Sequence, residues 1–248
     1  MDVTIIYDNT VYERGLKADW GFACLVEPGD GRRILFDTGA NGGILLYNME
    51  RLDIDPASIS EVFISHAHFD HTGGLSAFLG VNDNIKLYLP ASMSGRSLTD
   101  NAIFIGEGME LHDGIYSTGE LGGIEQSMAC RTEKGLAVIV GCSHSGVEAI
   151  LSAASRWGRP HAIIGGLHGF KQLDLLKGLD PVCACHCTQY KSDIEVFCGD
   201  RYDGGGPANG SLFYKQLRGG KCETGRCSNR GRQRRRAGGG HNREEALQ

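Results

Sequence analysis

An α/β architecture, with sheets covered by helices, is what this 248-residue sequence predicts, and three observations carry that reading. Short β-like runs recur along the chain, some in direct succession and some separated by helix-like segments. Apolar residues make up 41% of the composition, enough to bury a sizeable core. The 37 glycines are spread as singles and pairs between apolar runs, as many tight turns require, and do not form a low-complexity polymer. No repeat on the scale of roughly 20–50 residues is evident, which sets solenoids and propellers aside.

The elements follow in order. Val3–Tyr7, Phe22–Glu27 and Arg33–Phe36 read as strands. Gly43–Leu52 then brings Ile44, Leu45, Met49 and Leu52 near helical spacing. Strand character returns at Glu61–Ser65, Lys86–Leu89, Leu136–Val140 and Ala162–Ile164. Between the last two, Gly146–Trp157 opens after a Ser-Gly turn and groups Val147, Ile150, Leu151 and Ala154 on one helical face. Leu173–Leu179 and Ser192–Phe197 are shorter helical segments, and Pro181–Cys185 is a further strand-like run. Gly204-Gly205-Gly206 lacks the Lys and Ser/Thr of a nucleotide-binding loop, so it reads as a turn before a final strand at Ser211–Tyr214.

The net charge of −5 conceals an asymmetry. Arg218–Gln248 holds nine basic residues against three acidic ones, so this segment carries +6 and residues 1–217 carry −11. An acidic body argues against a general nucleic-acid binder and calls for cations concentrated at one site if the substrate is anionic. The Gly/Arg-rich 218–248 segment has almost no apolar side chain and is expected to be disordered. It reads either as an RNA- or anion-binding arm or as a dispensable tail, and its Cys222 and Cys227 alone make a weak metal grip. The start of the chain lacks the pattern of a signal peptide, and no apolar run approaches the roughly 20 residues of a membrane span. A cytoplasmic protein is therefore expected, with its nine cysteines as free thiols or metal neighbours and not a disulfide framework.

One segment carries chemistry: Ser65-His66-Ala67-His68-Phe69-Asp70-His71-Thr72-Gly73-Gly74, directly after the run Glu61–Ile64. On an extended strand end, residues two apart point the same way, so His66 and His68 can grip one cation together. Asp70 and His71, on the turn into the next helix, are offset from that pair and placed to reach a second cation. Imidazoles with a carboxylate suit Zn²⁺, with Mn²⁺ or Fe as alternatives, far better than Ca²⁺.

This segment resembles the defining motif of the metallo-β-lactamase superfamily. The resemblance extends to Ile34–Gly39, whose Asp37 is then implied to support the metal loop by hydrogen bonding. It takes in Trp20-Gly21-Phe22, Asn48, Asp53 and Gly73-Gly74-Leu75, then Gly141-Cys142-Ser143-His144, Gly165-Gly166-Leu167-His168 and His186-Cys187-Thr188. Together these are similar to one branch, whose members are described as synthases of a ribofuranosyl-aminobenzene phosphate on the route to methanopterin, or simply as metal-dependent hydrolases. The likeness covers residues 1–214. It implies a four-layer αββα sandwich over residues 1–217, with two divalent metal ions at one edge.

His186, after the run Pro181–Cys185, falls where the family's last histidine ligand does, and the resemblance assigns it to Asp70 and His71. His144, after the buried run Leu136–Val140, is the choice to complete the site of His66 and His68. Two departures stand out. Pro90-Ala91 occupies the region where a third histidine is expected, and Cys142 replaces a bridging Asp, so Cys142 is a further candidate ligand.

His168 is expected at a strand end, after a Gly-Gly turn, in a proton-transfer or substrate-binding role. His112 and His161 lack supporting context and read as structural or exposed. Cys183, Cys185 and Cys187 are expected on the face opposite His186, packed in the core. The leading expectation is a metal-dependent hydrolase using a metal-activated hydroxide on an ester, phosphoester or related small, anionic substrate, with Asp70 and His168 catalytic. The alternatives are a methanopterin-precursor synthase-like transferase, an iron-based oxidoreductase, and a metal-stabilised binding protein with an RNA-binding tail.

Overall fold

The computed structural model describes residues 1–11, 13–95 and 100–205. The expectations for Ser211–Tyr214 and for the basic segment lie outside the described residues. Strand β1 (Asp2–Tyr7) pairs antiparallel with β2 (Ala23–Glu27), and β2 with β3 (Ile34–Phe36). Helix α1 (Gly42–Arg51) follows, capped by Asn41, whose side chain accepts from the Gly43 and Ile44 N–H groups. Parallel strands β4 (Glu61–Phe63), β5 (Lys86–Pro90) and β6 (Ala102–Ile105) complete a six-stranded sheet ordered β1-β2-β3-β4-β5-β6. The short helices α2 (Phe69–Thr72) and α3 (Leu75–Leu79) join β4 to β5.

The second sheet is built from β7 (Glu107–His112), β8 (Ile115–Gly119), β9 (Met128–Thr132), β10 (Gly135–Val140), β11 (Pro160–Gly166), β12 (Val182–Cys185) and β13 (Tyr202–Asp203). Its order is the reverse of the sequence, β13 through β7, antiparallel from β7 to β10 and parallel from β10 to β13. Helix α4 (Val147–Ser155) crosses from β10 to β11, and α5 (Lys191–Cys198) from β12 to β13.

Strand alternation sorts the apolar side chains into three cores. Because successive residues face opposite sides of a sheet, Val3, Cys24, Ile34 and Phe36 meet Ala137, Ile139, Cys183 and Cys185 between the two sheets. The other faces look outward. Leu25, Leu35, Val62 and Leu87 pack under Leu45 and Met49 of α1 and Phe78 of α3. Val138, Val140, Ile163 and Ala184 pack under Ile150 of α4 and Ile194 of α5. Helices, sheet, sheet, helices: this is the αββα sandwich. Among the described residues, no helix is long and apolar enough to cross a membrane.

Several elements differ from the sequence reading. Leu173–Leu179 forms only a single 3-10 turn, Leu173–Leu176, since Lys177 is already extended and Gly178 turns with φ 80°. The strand expected over Glu61–Ser65 ends at Phe63, where the chain leaves the sheet to carry the histidine segment. Gly165-Gly166 is no turn but the end of β11. A Cβ on Gly165 would lie 1.9 Å from the Val140 carbonyl oxygen, and its φ is +128°. Glycine is thus required for β11 to lie against β10 here. A Gly165→Ala variant is expected to lose well over ~1 kcal/mol of stability; urea denaturation checks this, and an unchanged midpoint would count against the tight β10–β11 contact.

Candidate metal centre

The site forms where strand ends from both sheets meet. β4 delivers Ser65 and His66, α2 carries Asp70 and His71, the segment after β10 carries Cys142 and His144, and the end of β12 delivers His186. Four of the five non-glycine residues with positive φ among the described residues lie here: Asp37 at 56°, Ser143 at 59°, His168 at 43° and His186 at 47°. Such conformations cost free energy for residues with a Cβ and concentrate where geometry must be held for function.

Asp37 organises the first half of the cluster from beneath. Fully buried after β3, its carboxylate accepts from the Ser65 N–H, the Ser65 hydroxyl and His71 Nδ1, each at 2.7 Å. This chain of bonds fixes the imidazole tautomers. With its only proton given to Asp37, the Ser65 oxygen accepts from His66 Nδ1 at 2.9 Å. At the second sheet, His186 Nδ1 donates to Asn9 Oδ1 at 3.0 Å, and Asn9 Nδ2 returns a bond to the His186 carbonyl at 3.0 Å. His66, His71 and His186 are therefore all held by Nδ1–H, leaving every Nε2 lone pair directed inward.

Those lone pairs converge. One ligand atom each from Asp70, His71, Cys142 and His186 lies within 4.8 Å of all the others, and the same holds for His66, Cys142 and His144. Cys142 belongs to both groups. His68 joins through its Nδ1, 3.1 Å from His66 Nε2, close to the roughly 3.3 Å that separates two nitrogens on one tetrahedral cation. His186 Nε2 stands 3.2 Å from Asp70 Oδ2, two lone-pair atoms facing each other while Nδ1 carries the ring proton, and Nε2 of both His144 and His186 is buried without a hydrogen-bond partner. Buried imidazole nitrogens facing a carboxylate oxygen are costly unless a cation satisfies them. The donor set of nitrogen, thiol sulfur and carboxylate fits a divalent transition metal.

The electrostatics agree. Burial, then the neighbouring His71, His68 and His144, holds His66 well below its ordinary value, and burial followed by His186 does the same for His71. Both rings stay neutral and keep their lone pairs. Burial would raise Asp70, but its interactions with His186 and His71 outweigh it and keep the carboxylate ionised. The Cys142 thiol is pushed up by its hydrogen bond with Cys187 and by burial, while the same bond lowers Cys187 to about 6.

His66, His68, Asp70, His71, Cys142, His144 and His186 are all gathered here. His168 stands at the margin, exposed, with its ring 5.0 Å from that of His144. It borders a cavity of about 410 Å³ lined also by Ser143, Leu167, Phe170, Lys171 and Gln172. Trp20 forms another margin: 58% exposed, its Nε1 donates to Asp70 Oδ2 at 2.9 Å. His112 and His161 take structural parts, the first on Glu61 and the second on Thr132 and the Asp180 carbonyl. Cys183 and Cys185 lie in the core between the sheets as expected, but Cys187 does not. β12 ends at Cys185 and the positive φ of His186 breaks the alternation, so Cys187 turns toward the Cys142 carbonyl, 3.8 Å away.

Sequence reasoning also passed over Asp8, Asn9, Ser65 and Glu125. Asp8 Oδ1 accepts from the His186 N–H at 2.7 Å, and Asp8-Asn9, a polar pair directly after an apolar strand, was the available signal.

Comparison with known proteins places this arrangement among relatives. The profile described as the metallo-beta-lactamase superfamily matches residues 21–93. A 7,8-dihydropterin-6-methyl-4-(beta-D-ribofuranosyl)-aminobenzene-5'-phosphate synthase from Methanocaldococcus jannaschii is 26% identical, with 77% of this chain and 88% of the relative covered. The structure of Tm1679, a metal-dependent hydrolase of the beta-lactamase superfamily, matches at 25% identity and a TM-score of 0.65, over 79% of this chain and 92% of that one. The metallo-beta-lactamase fold protein YhfI from Bacillus subtilis shares the fold at 11% identity and a TM-score of 0.58, over 79% and 92%.

Proposed function

We propose that this chain, which is similar to the metallo-β-lactamase superfamily, is a metal-dependent hydrolase holding two divalent cations, Zn²⁺ with Mn²⁺ or Fe as alternatives. The observation that carries this reading is the inward convergence of the His66, His71 and His186 Nε2 atoms around Cys142 and Asp70. His66, His68 and His144 would hold one cation and Asp70, His71 and His186 the other, with Cys142 within reach of both. Bound divalent cations supply a Lewis acid for a carbonyl or phosphoryl oxygen and make water a nucleophile near neutral pH.

The chain's own residues do the rest. Asp70, held from outside by the Trp20 indole, offers its carboxylate to orient the attacking water. The cavity beside His168 and Lys171 suits a small anionic ester or phosphoester. His168, which lines that cavity beside His144, would protonate the leaving group. A His168→Gln variant is expected to keep its metal content and to lose about 10²–10⁴-fold in kcat; steady-state kinetics on the best substrate of an ester and phosphodiester panel decides it. Undiminished kcat would remove His168 from the chemistry.

The similarity to the Methanocaldococcus synthase supports a second reading, in which the same pocket joins a phosphoribosyl donor to an aromatic acid. Incubating metal-loaded protein with both reactants separates the two. Condensation product, with no hydrolysis across the panel, would favour the synthase.

A further inference from the structure

Glu125 lies in the connection between β8 and β9 and is only 1% exposed. A buried carboxylate is costly unless its oxygens are bonded. Here Oε1 accepts from both the Ser145 N–H and the Ser145 hydroxyl, each at 2.7 Å. Ser145 directly follows His144. On its other side, Glu125 forms an isolated antiparallel bridge with His66. The next residue extends that splint: the Gln126 N–H donates to the Ser65 carbonyl at 2.8 Å, and its Nε2 to the Ile64 carbonyl at 2.9 Å.

His66 comes from the end of β4 in the first sheet, and His144 from the segment after β10 in the second. β4 pairs with β3 and β5, and β10 with β9 and β11, so strand pairing leaves the two ends in separate sheets. From this placement we infer that Glu125 is a positioning residue, fixing His144 against His66 by clamping the Ser145 backbone to the β4 end. The inference rests on the metal-centre reading for its consequence but not for its geometry. Its consequence falls first on one half of the cluster, because the bonds of Glu125 go to the segments of His66 and His144.

The experiment compares full-length wild type with Glu125→Ala and Glu125→Gln, the second keeping a carbonyl acceptor for Ser145. Hydrogen–deuterium exchange over residues 141–150 reads the clamp without any metal. Metal content on protein supplied with Zn²⁺ reads its consequence. Glu125→Ala is expected to raise exchange of the Ser145 amide by at least about tenfold and to lose one of the two ions, with Glu125→Gln restoring both. Wild-type protection and metal content in Glu125→Ala would overturn the inference. If wild type takes up no metal, the metal-centre reading fails while exchange still decides the clamp. Should Glu125→Ala not fold, Glu125→Asp, whose carboxylate falls one methylene short of Ser145, takes its place, and wild-type exchange and metal content in that variant would overturn the inference as well.

Discussion

In a His66→Ala/His68→Ala variant, bound metal is expected to fall by at least one ion per chain, with turnover lost along with it. The two rings approach at 3.1 Å between Nε2 and Nδ1, so they act as one grip, and neither alone can replace it. Loss of an outer partner of a ligand typically costs 10–100-fold in affinity or activity, and removal of two ligands themselves is expected to exceed that. Equilibrium dialysis against Zn²⁺ with parallel kinetics is the check. Full metal content with full activity would mean that the two imidazoles are gathered here for some other reason. Since His66 is fully buried, circular dichroism on the same sample separates metal loss from unfolding.

Asp37→Ala carries the second large effect. It is expected to cost about 3–5 kcal/mol of stability, the range for removing one member of a buried charged network. The alanine would leave the Ser65 N–H, the Ser65 hydroxyl and His71 Nδ1 without their acceptor. It would also place a Cβ residue with no local polar contact at φ 56°. The His71 and His66 tautomers would no longer be fixed, so metal affinity should fall together with stability. Asp37→Asn tolerates the backbone conformation and keeps one acceptor oxygen, so it should lose less. Urea denaturation of both variants is the measurement; a loss below about 1 kcal/mol in Asp37→Ala would show that the network is not held from this residue.

Much of the molecule was legible because its signals are local. The histidine segment declared itself within six residues, since strand-end geometry and metal coordination both act over that span. Long apolar strands such as β1 and β10, and the amphipathic helix α4, followed from periodicity. Strands β6 to β9 were not read, and the reason is physical. β6 and β7 are the sheet edges, their side chains are largely exposed, and they lack the apolar alternation that marks a buried face. β8 carries only Ile115 and Tyr116 into the cores, and its Ser117 and Thr118 are buried by polar bonding to Gln126 and Ser127, so its sequence shows little apolar alternation.

Within the site, residues that approach the cluster were readable and those that hold it were not. Asn9, Ser65 and Glu125 are common polar types at unremarkable spacings. Their importance exists only once β1, β4 and β9 are brought to one edge by the sheet order. Cys187 shows the same limit, because alternation placed it in the core and a single positive φ at His186 turns it toward Cys142.

Binding of divalent metal by this cluster is tested most directly by metal content per chain, measured by inductively coupled plasma mass spectrometry. The protein should be purified without added metal or chelator, with Zn²⁺ and Mn²⁺ then titrated into a chelator-treated sample. About two divalent ions per chain, restored on titration, is the predicted result. No bound metal and no uptake on addition would contradict it.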